Sequence, residues 1–162
     1  KKLKILNIAI SNQIGEVKLY INSSRTVSSI NKKWQKCALP EMFPHVHNVN
    51  TEIVKSTTLD NLVSEYGIPD YIKLDIEGGE LNAFRGLNQP INILSFETTL
   101  PIFHDETIKI LNKISSLGEY QFNLLEYGKY QFIETTFSKD QIIKSIILKQ
   151  LKGVIDIFCF KK

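Results

Sequence analysis

The stretch that decides the fold is DYIKLDIEGGELNAFRGL, residues 70–87. An apolar run ends at Asp75, and two further acids, Glu77 and Glu80, stand on either side of a pair of glycines. Carboxylates this close repel one another, and glycine near the beginning of a helix lowers helix propensity. A stretch built for stability alone would not combine these features. The combination predicts a strand, then a turn that faces a ligand, then a short helix.

Strands and helices alternate on both sides of this stretch. Apolar and β-branched runs predict strands, and apolar residues at helical spacing with N-capping Thr58 and Ser138 predict helices. From residue 49 onward the order is strand, helix, strand, helix, strand, followed by a closing antiparallel element. This order predicts an α/β fold with a mostly parallel sheet. The predicted strands are 3–11, 16–21, 49–57, 70–76, 91–98, two within 120–136 around Gly128, and 154–160; the predicted helices are 59–66, 79–87, 104–118 and 138–153.

The length of 162 residues predicts a single domain with a sizeable core. Residues 22–48 are Ser-rich, then basic, and contain two prolines, which predicts an irregular insertion loop. This loop carries Trp34, Met42 and Phe43 and could determine substrate specificity, although a packed surface loop fits the same composition.

Composition excludes several classes of protein. The net charge is only +3 and no run of like charges occurs, which argues against nucleic-acid or membrane partners. No apolar run approaches the length of a membrane span. Cys37 and Cys159 lie in no recognisable motif, and we expect reduced thiols, Cys159 in a buried strand. These features favour a cytoplasmic protein.

Three carboxylates are expected at one rim of the sheet. Ligands of open α/β sheets bind at the carboxyl ends of the strands, where we place Asp75, Glu77 and Glu97. Gly78 and Gly79 would allow the backbone to approach a ligand closely. A purely structural interpretation is also open, because acids are favoured in the first turn of a helix, and Glu80 could simply be a capping partner.

The motifs resemble those of one known family. The run TTLDNLVSEYGIPDYIKLDIEGGELNAFRGL, residues 57–87, and INILSFE, residues 91–97, resemble the core signature of the FkbM family of S-adenosylmethionine-dependent methyltransferases. The matching motifs are T-L-D at 58–60, K-x-D-x-E-G-x-E at 73–80, R-G at 85–86 and the strand-terminal Glu97. NIAISNQIGEVKLY, residues 7–20, and SRTVSSI, residues 24–30, are similar to further segments of the family.

The resemblance implies a fold and a reaction. The fold would be a Rossmann-like methyltransferase sheet with strand order 3-2-1-4-5-7-6 and an antiparallel last strand. The reaction would be methyl transfer from S-adenosylmethionine to a hydroxyl group of a sugar, glycan or natural-product scaffold. A carboxylate can take the hydroxyl proton in such a displacement. A metal-dependent hydrolase built on the same acids is a weaker alternative, and we expect no metal.

The resemblance also assigns roles to individual residues. Asp75 would face the methionine moiety of the cofactor or the acceptor, Glu77 would be the general base or substrate anchor, and Glu97 would orient the substrate. Ala9 and Ser11 would lie near the adenine of the cofactor.

Three histidines could line the acceptor pocket, although a single loop histidine is more often solvated: His45, His47 and His104.

One part of the family pattern is missing. None of the eight glycines forms a Gly-x-Gly turn of the kind that approaches a nucleotide cofactor. Residue 1 aligns with the family's third strand, so the chain is predicted to be a fragment that lacks the first two strands. An open sheet edge would then invite homo-oligomerisation, and cofactor binding would be weak. A non-catalytic interaction module that keeps the fold is the alternative function.

Overall fold

The first of two β-sheets is formed by the N-terminal part of the chain. A computed structural model describes residues 3–126, 128, 131–132 and 135–162. The three strands of this first sheet are β1 (Ala9–Ile10), β2 (Gly15–Asn22) and β3 (Asn48–Thr57). They are arranged in the order β1-β3-β2, with β1 parallel and β2 antiparallel to β3.

The second sheet has four strands in the order β4-β5-β7-β6. β4, β5 and β6 run in the same direction, and β7 lies between β5 and β6 and runs antiparallel to both. The strands fall in two sheets rather than in the one sheet predicted, and the closing antiparallel strand predicted for the C-terminal part is β7. The strands are β4 (Tyr71–Leu74), β5 (Ile93–Leu100), β6 (Tyr120–Glu126) and β7 (Gly153–Lys161).

Residues 3–8 form no strand, which corrects the prediction of a strand over 3–11. Only Ala9 and Ile10 pair with β3, opposite Ser56 and Thr57. Leu3 and Ile5 are 88% and 83% exposed. The apolar run indicated a buried strand, but no neighbouring element covers it in the described part of the chain. Of the two strands predicted over 120–136, the first is β6, and the second falls largely outside the described residues.

The helices begin where their capping residues predict. The Thr58 hydroxyl accepts a hydrogen bond from the N–H of Asn61 at 3.1 Å, and Ser138 forms a capping box with Gln141. The last helix ends six residues before its predicted end. No helix in the described residues combines the length and apolarity needed to cross a bilayer. The helices are α1 (Leu39–Met42), α2 (Leu59–Tyr66), α3 (Glu80–Arg85), α4 (His104–Leu117) and α5 (Lys139–Ile147).

The main core lies on the four-stranded sheet. Phe84 of α3 meets Phe96 of β5 edge to face, with 5.5 Å between ring centroids. Ile157 and Cys159 of β7 are fully buried in the same cluster, as predicted for Cys159. Burial raises the pKa of the Cys159 thiol, whereas Cys37 is a free, exposed thiol. The second sheet is therefore a closely packed platform.

Residues 22–48 are more ordered than an irregular insertion loop. They contain short helical turns at Arg25–Val27 and Trp34–Ala38, followed by α1. Trp34 is buried, and its indole N–H donates a hydrogen bond to the carbonyl of Val27 at 3.1 Å. The Trp34 and Phe103 rings stack with centroids 6.4 Å apart. A second, smaller core thus joins this segment to the beginning of α4.

Candidate functional site

The turn between β4 and α3 carries the acidic motif in an unusual backbone conformation. Glu77 has a φ of 56° and Gly78 a φ of 85°, so two successive residues are left-handed. This conformation is uncommon for a residue other than glycine. The Glu80 carboxylate accepts a hydrogen bond from the N–H of Ile76 at 3.0 Å, which closes the turn. Glu80 therefore has the structural role that the sequence analysis left open, because its side chain binds the backbone of the turn.

The glycines of this turn do not make room for a ligand, contrary to the prediction. A Cβ atom on Gly78 would lie 2.6 Å from Cζ of Phe103, and one on Gly79 would lie 3.1 Å from the Ile76 side chain. The protein's own side chains fill the space. Gly78 is required here by its φ and by the close packing of the Phe103 ring.

Glu77 lies between a large cavity and a small one. The large cavity has a volume of about 770 Å³, and the small one is also lined by Glu80 and Glu97. Among the described residues, Oε2 of Glu77 is buried without a hydrogen-bond partner. Burial, followed by the negative charges of Glu97, Asp75 and Glu80, raises the pKa of Glu77 to about 8. A carboxyl group with this pKa exchanges its proton near neutral pH.

Glu97 lies within β5 rather than at its end, because the strand continues to Leu100. Its direct cross-strand neighbour on β7 is Asp156, and like charges placed opposite each other repel. Burial, Asp75 and Asp156 raise the pKa of Glu97 to about 7, against the opposing charge of Lys73. Glu97 thus shares the small cavity with Glu77, as the predicted convergence requires.

Asp75 is more exposed than the two glutamates. Its side chain is 44% exposed and lies 3.7 Å from the ammonium group of Lys73. Lys73 also donates a hydrogen bond to Asp156 at 2.7 Å. This lysine therefore connects the end of β4 to β7 and partly balances the acids on this side of the sheet.

The large cavity lies between strands of the first sheet and the turn that follows β4. Ala9 of β1 lines it together with Asp75 and Glu77, whereas Ser11 is not among its lining residues. Ser11 is buried, and its carbonyl is so close that a Cβ on Gly86 would lie 2.7 Å from it. The large cavity is thus lined by Ala9, Asp75 and Glu77 but not by Ser11.

The histidines lie elsewhere. None of the three lines the large cavity or the small one, so a place for them in an acceptor pocket stays a prediction. His45 and His47 are exposed. The His104 ring nitrogen Nδ1 lies 2.9 Å from a carboxylate oxygen of Asp105, its neighbour in sequence.

Sequence reasoning missed four residues of this site. Asp156 could have been noticed as a charge within the apolar strand VIDIFCF, and Lys73 as a cation within the K-x-D-x-E motif. Ser29 and Asn31, which donate hydrogen bonds to the turn, gave no local signal.

Burial raises the pKa of Glu80 to about 7, against the hydrogen bond from Ile76. Within the described residues, no group of three or more His, Cys, Asp or Glu is arranged to hold a metal ion.

Comparisons with known proteins give one informative match. A family model described as "Methyltransferase FkbM domain" matches residues 1–140. The chain is also similar to protein TIC 214 of Nasturtium officinale, with 29% identity over 98 residues. That alignment covers 60% of this chain but 5% of the relative, so it supports no functional argument. No solved structure matches the chain.

Proposed function

Since this chain belongs to the family of methyltransferase FkbM domains, we propose that it serves S-adenosylmethionine-dependent methyl transfer to a hydroxyl group. The observation that carries this proposal is the Glu77 carboxyl group at the wall of the large cavity. The residue is half-buried, its Oε2 atom is buried without a partner among the described residues, and its pKa is raised to about 8. These are the properties of a general base near neutral pH.

The large cavity fits the proposed cofactor in size and charge. Its volume of about 770 Å³ is within the usual range for small-molecule sites. Asp75 and Glu77 would face a cationic ligand, and apolar side chains such as Ile8 and Ile53 line the same cavity. The family's glycine turn has no counterpart among the eight glycines, so we expect weak binding.

Glu77 acts on the acceptor in this proposal. When bound, the cofactor supplies a methyl group on a positively charged sulfur. As the methyl group passed from that sulfur to the acceptor oxygen, the ionised Glu77 carboxylate would take the hydroxyl proton. Glu97 lies beside Glu77 in the small cavity and would orient the acceptor.

The charge of the site limits the acceptor class. Asp75, Glu77 and Glu97 would repel a phosphorylated or carboxylated acceptor and would accept hydrogen bonds from hydroxyl groups. We therefore propose a neutral, polyhydroxylated acceptor such as a sugar, a glycan or a natural-product scaffold.

The topology of the second sheet supports a Rossmann-like assignment. The order β4-β5-β7-β6, with β7 antiparallel, agrees with the last four strands of the order 3-2-1-4-5-7-6. We also propose a cytoplasmic location, with which free thiols at Cys37 and Cys159 are consistent.

The first experiment is a calorimetric titration of S-adenosylmethionine and its demethylated product into the chain. We expect weak binding of S-adenosylmethionine that Asp75→Asn reduces further, whereas Glu119→Gln, which removes an exposed acid outside the cavity, leaves it unchanged. The second is transfer of a tritiated methyl group to a panel of neutral sugars. Glu77→Gln should lower that rate by about 10²- to 10⁴-fold, the usual contribution of a general base.

The outcomes separate an enzyme from a non-catalytic module. Binding without an effect of Glu77→Gln on transfer would reject Glu77 as the base. If the wild-type chain showed neither binding nor transfer, the interaction module would be the better interpretation of this chain.

A further inference from the structure

Two hydrogen bonds connect residues 22–48 to the turn that carries Glu77. The Ser29 hydroxyl donates to the Glu77 carbonyl at 2.7 Å, and the Asn31 side-chain amide donates to the Gly78 carbonyl. We propose that Ser29 and Asn31 are positioning residues that hold the Glu77 carboxyl group between the two cavities. This inference rests on the proposed function, because it assigns to Glu77 the role of base.

The turn needs such support. Left-handed backbone is unfavourable for a residue with a Cβ atom, and such residues persist where their surroundings over-determine them. Glu77 has a φ of 56°, so its backbone would relax if the contacts on its carbonyl were lost. The direction of the Glu77 side chain depends on that backbone conformation.

Ser29 is itself held firmly. It is buried, and it exchanges two backbone hydrogen bonds with Tyr20 of β2, at 2.9 and 3.2 Å. Its hydroxyl oxygen also accepts a hydrogen bond from the N–H of Asn31 at 2.8 Å. The contact with Glu77 therefore connects the acidic turn of the second sheet to a strand of the first.

Asn31 uses both ends of its side-chain amide. Its oxygen accepts hydrogen bonds from the N–H groups of Lys33 and Trp34, at 2.7 and 3.0 Å, and so caps the helical turn that follows. Its nitrogen is the donor to Gly78. Phe103 packs against Gly78 as well and stacks on Trp34. The turn is thus held directly by Asn31 and by Phe103, which in turn stacks on Trp34 of the same helical segment.

The charged surroundings of Glu77 give a measurable consequence. Asp75 after β4, Glu80 of α3 and Glu97 of β5 act on its carboxyl group directly. Lys73 and Asp156 act on the neighbouring Glu97. If the turn relaxes, Glu77 gains contact with water and moves away from the other acids. Its pKa should then fall toward the ordinary value for a glutamate.

The test is a pH titration of the Glu77 side chain by carboxyl carbon-13 NMR, with Glu77→Gln used to identify its resonance. Wild type should titrate near pH 8. Ser29→Ala and Asn31→Ser should lower that midpoint by about one pH unit or more, a tenfold change in proton dissociation. Asn31→Ser keeps an oxygen suited to capping but is too short to reach Gly78. Ser29→Thr, which keeps the hydroxyl group, should restore the wild-type midpoint.

A matched control separates positioning from general loss of stability. The Ser23 hydroxyl accepts a hydrogen bond from the N–H of His47 at 3.3 Å, within the same segment but away from the acidic turn. Ser23→Ala should therefore leave the Glu77 midpoint unchanged. An unchanged midpoint in folded Ser29→Ala or in folded Asn31→Ser would overturn the proposal, and either variant suffices if the other does not fold.

This test is independent of the test of the proposed function, because it requires neither cofactor nor acceptor. Full methyl transfer by Glu77→Gln would reject Glu77 as the base but would not alter the NMR result. Conversely, if the midpoint of the Glu77 titration were unchanged in the variants, the role of Ser29 and Asn31 would be rejected even if Glu77 proved essential.

Discussion

The two sheets of this protein differ in how completely they are covered. In β5 of the second sheet, six of the eight residues are buried, whereas in β3 of the first sheet only two of ten are. Phe96 of β5 is fully buried and Ile53 of β3 is 61% exposed. The acids lie on the closely packed sheet, and the open sheet faces them across the large cavity. The second sheet therefore supports the acids with a closely packed core, and the first sheet forms a solvent-exposed side of the cavity.

The largest difference in stability between the two sheets should appear when one apolar side chain in each is replaced by alanine. Phe96→Ala removes a ring that packs against Phe84, and we expect it to lower the free energy of unfolding by about 3–5 kcal/mol. Ile53→Ala should change it by less than about 0.5 kcal/mol, as is usual for exposed positions. Urea unfolding measures both. Similar losses for the two variants would show that the first sheet is covered in solution and that this comparison is wrong.

Replacing either of two glycines by alanine should give a smaller difference in the free energy of unfolding. Both Gly78 and Gly15 have positive φ, but a Cβ on Gly78 would meet Phe103 at 2.6 Å, whereas nothing lies within 4 Å of one on Gly15. Gly15→Ala should cost about 1–2 kcal/mol for backbone strain alone. Gly78→Ala should cost about 1–3 kcal/mol more, the usual penalty of overpacking.

The two glycine variants are compared by thermal and urea unfolding. Equal losses would mean that the Phe103 ring moves aside freely, in which case the acidic turn is held less firmly than its contacts indicate.

The acids of the second sheet should make stability depend on pH. Because the pKa of Glu77 is about 8 in the folded chain and ordinary in the unfolded chain, the folded state keeps a proton that the unfolded state has released between these values. Stability therefore falls as pH rises through this window and levels off above about pH 8. Glu97 and Glu80, each with a pKa of about 7, act in the same direction.

Glu77→Gln should weaken this dependence. We expect the variant to match wild type in acid and to exceed it above pH 8 by about 1 kcal/mol, with solvent screening taken into account. Ile53→Ala keeps every titrating group and should retain the wild-type pH profile. If Glu77→Gln lowered stability at high pH, the carboxylate would have a compensating partner that the structure does not show.

Sequence predicted the features that depend on neighbouring residues. The hydroxyl groups of Thr58 and Ser138 cap their helices, and α4 ends just before Gly118, because a cap and its helix are close in sequence. Cys159 is buried because its strand is apolar at most positions. Glu77 and Glu97 line the same small cavity, as expected for acids near the carboxyl ends of neighbouring parallel strands, although Glu97 lies within β5.

The features that depend on distant pairing were not predictable in the same way. Nothing near Glu97 shows that β7 places Asp156 opposite it, or that the strand continues to Leu100. Ser29 lies 48 residues before its partner Glu77, so no local pattern reports their contact. The exposure of residues 3–7 was not predicted either. An apolar run shows that a segment would gain from being covered, but not whether another element covers it.

The smallest expected effect concerns the free edge of the second sheet. Within the described residues, β4 pairs with β5 alone, and Ile68, just before β4, is 67% exposed. Unpaired strand edges with apolar neighbours seek partners, so we expect weak, concentration-dependent self-association in sedimentation velocity. Ile68→Lys should abolish it, because a charge beside the strand edge opposes association there, whereas Ile53→Lys on the first sheet should not. The reverse result would move the interface to the open sheet, and a wild-type monomer at every concentration would reject association through either sheet.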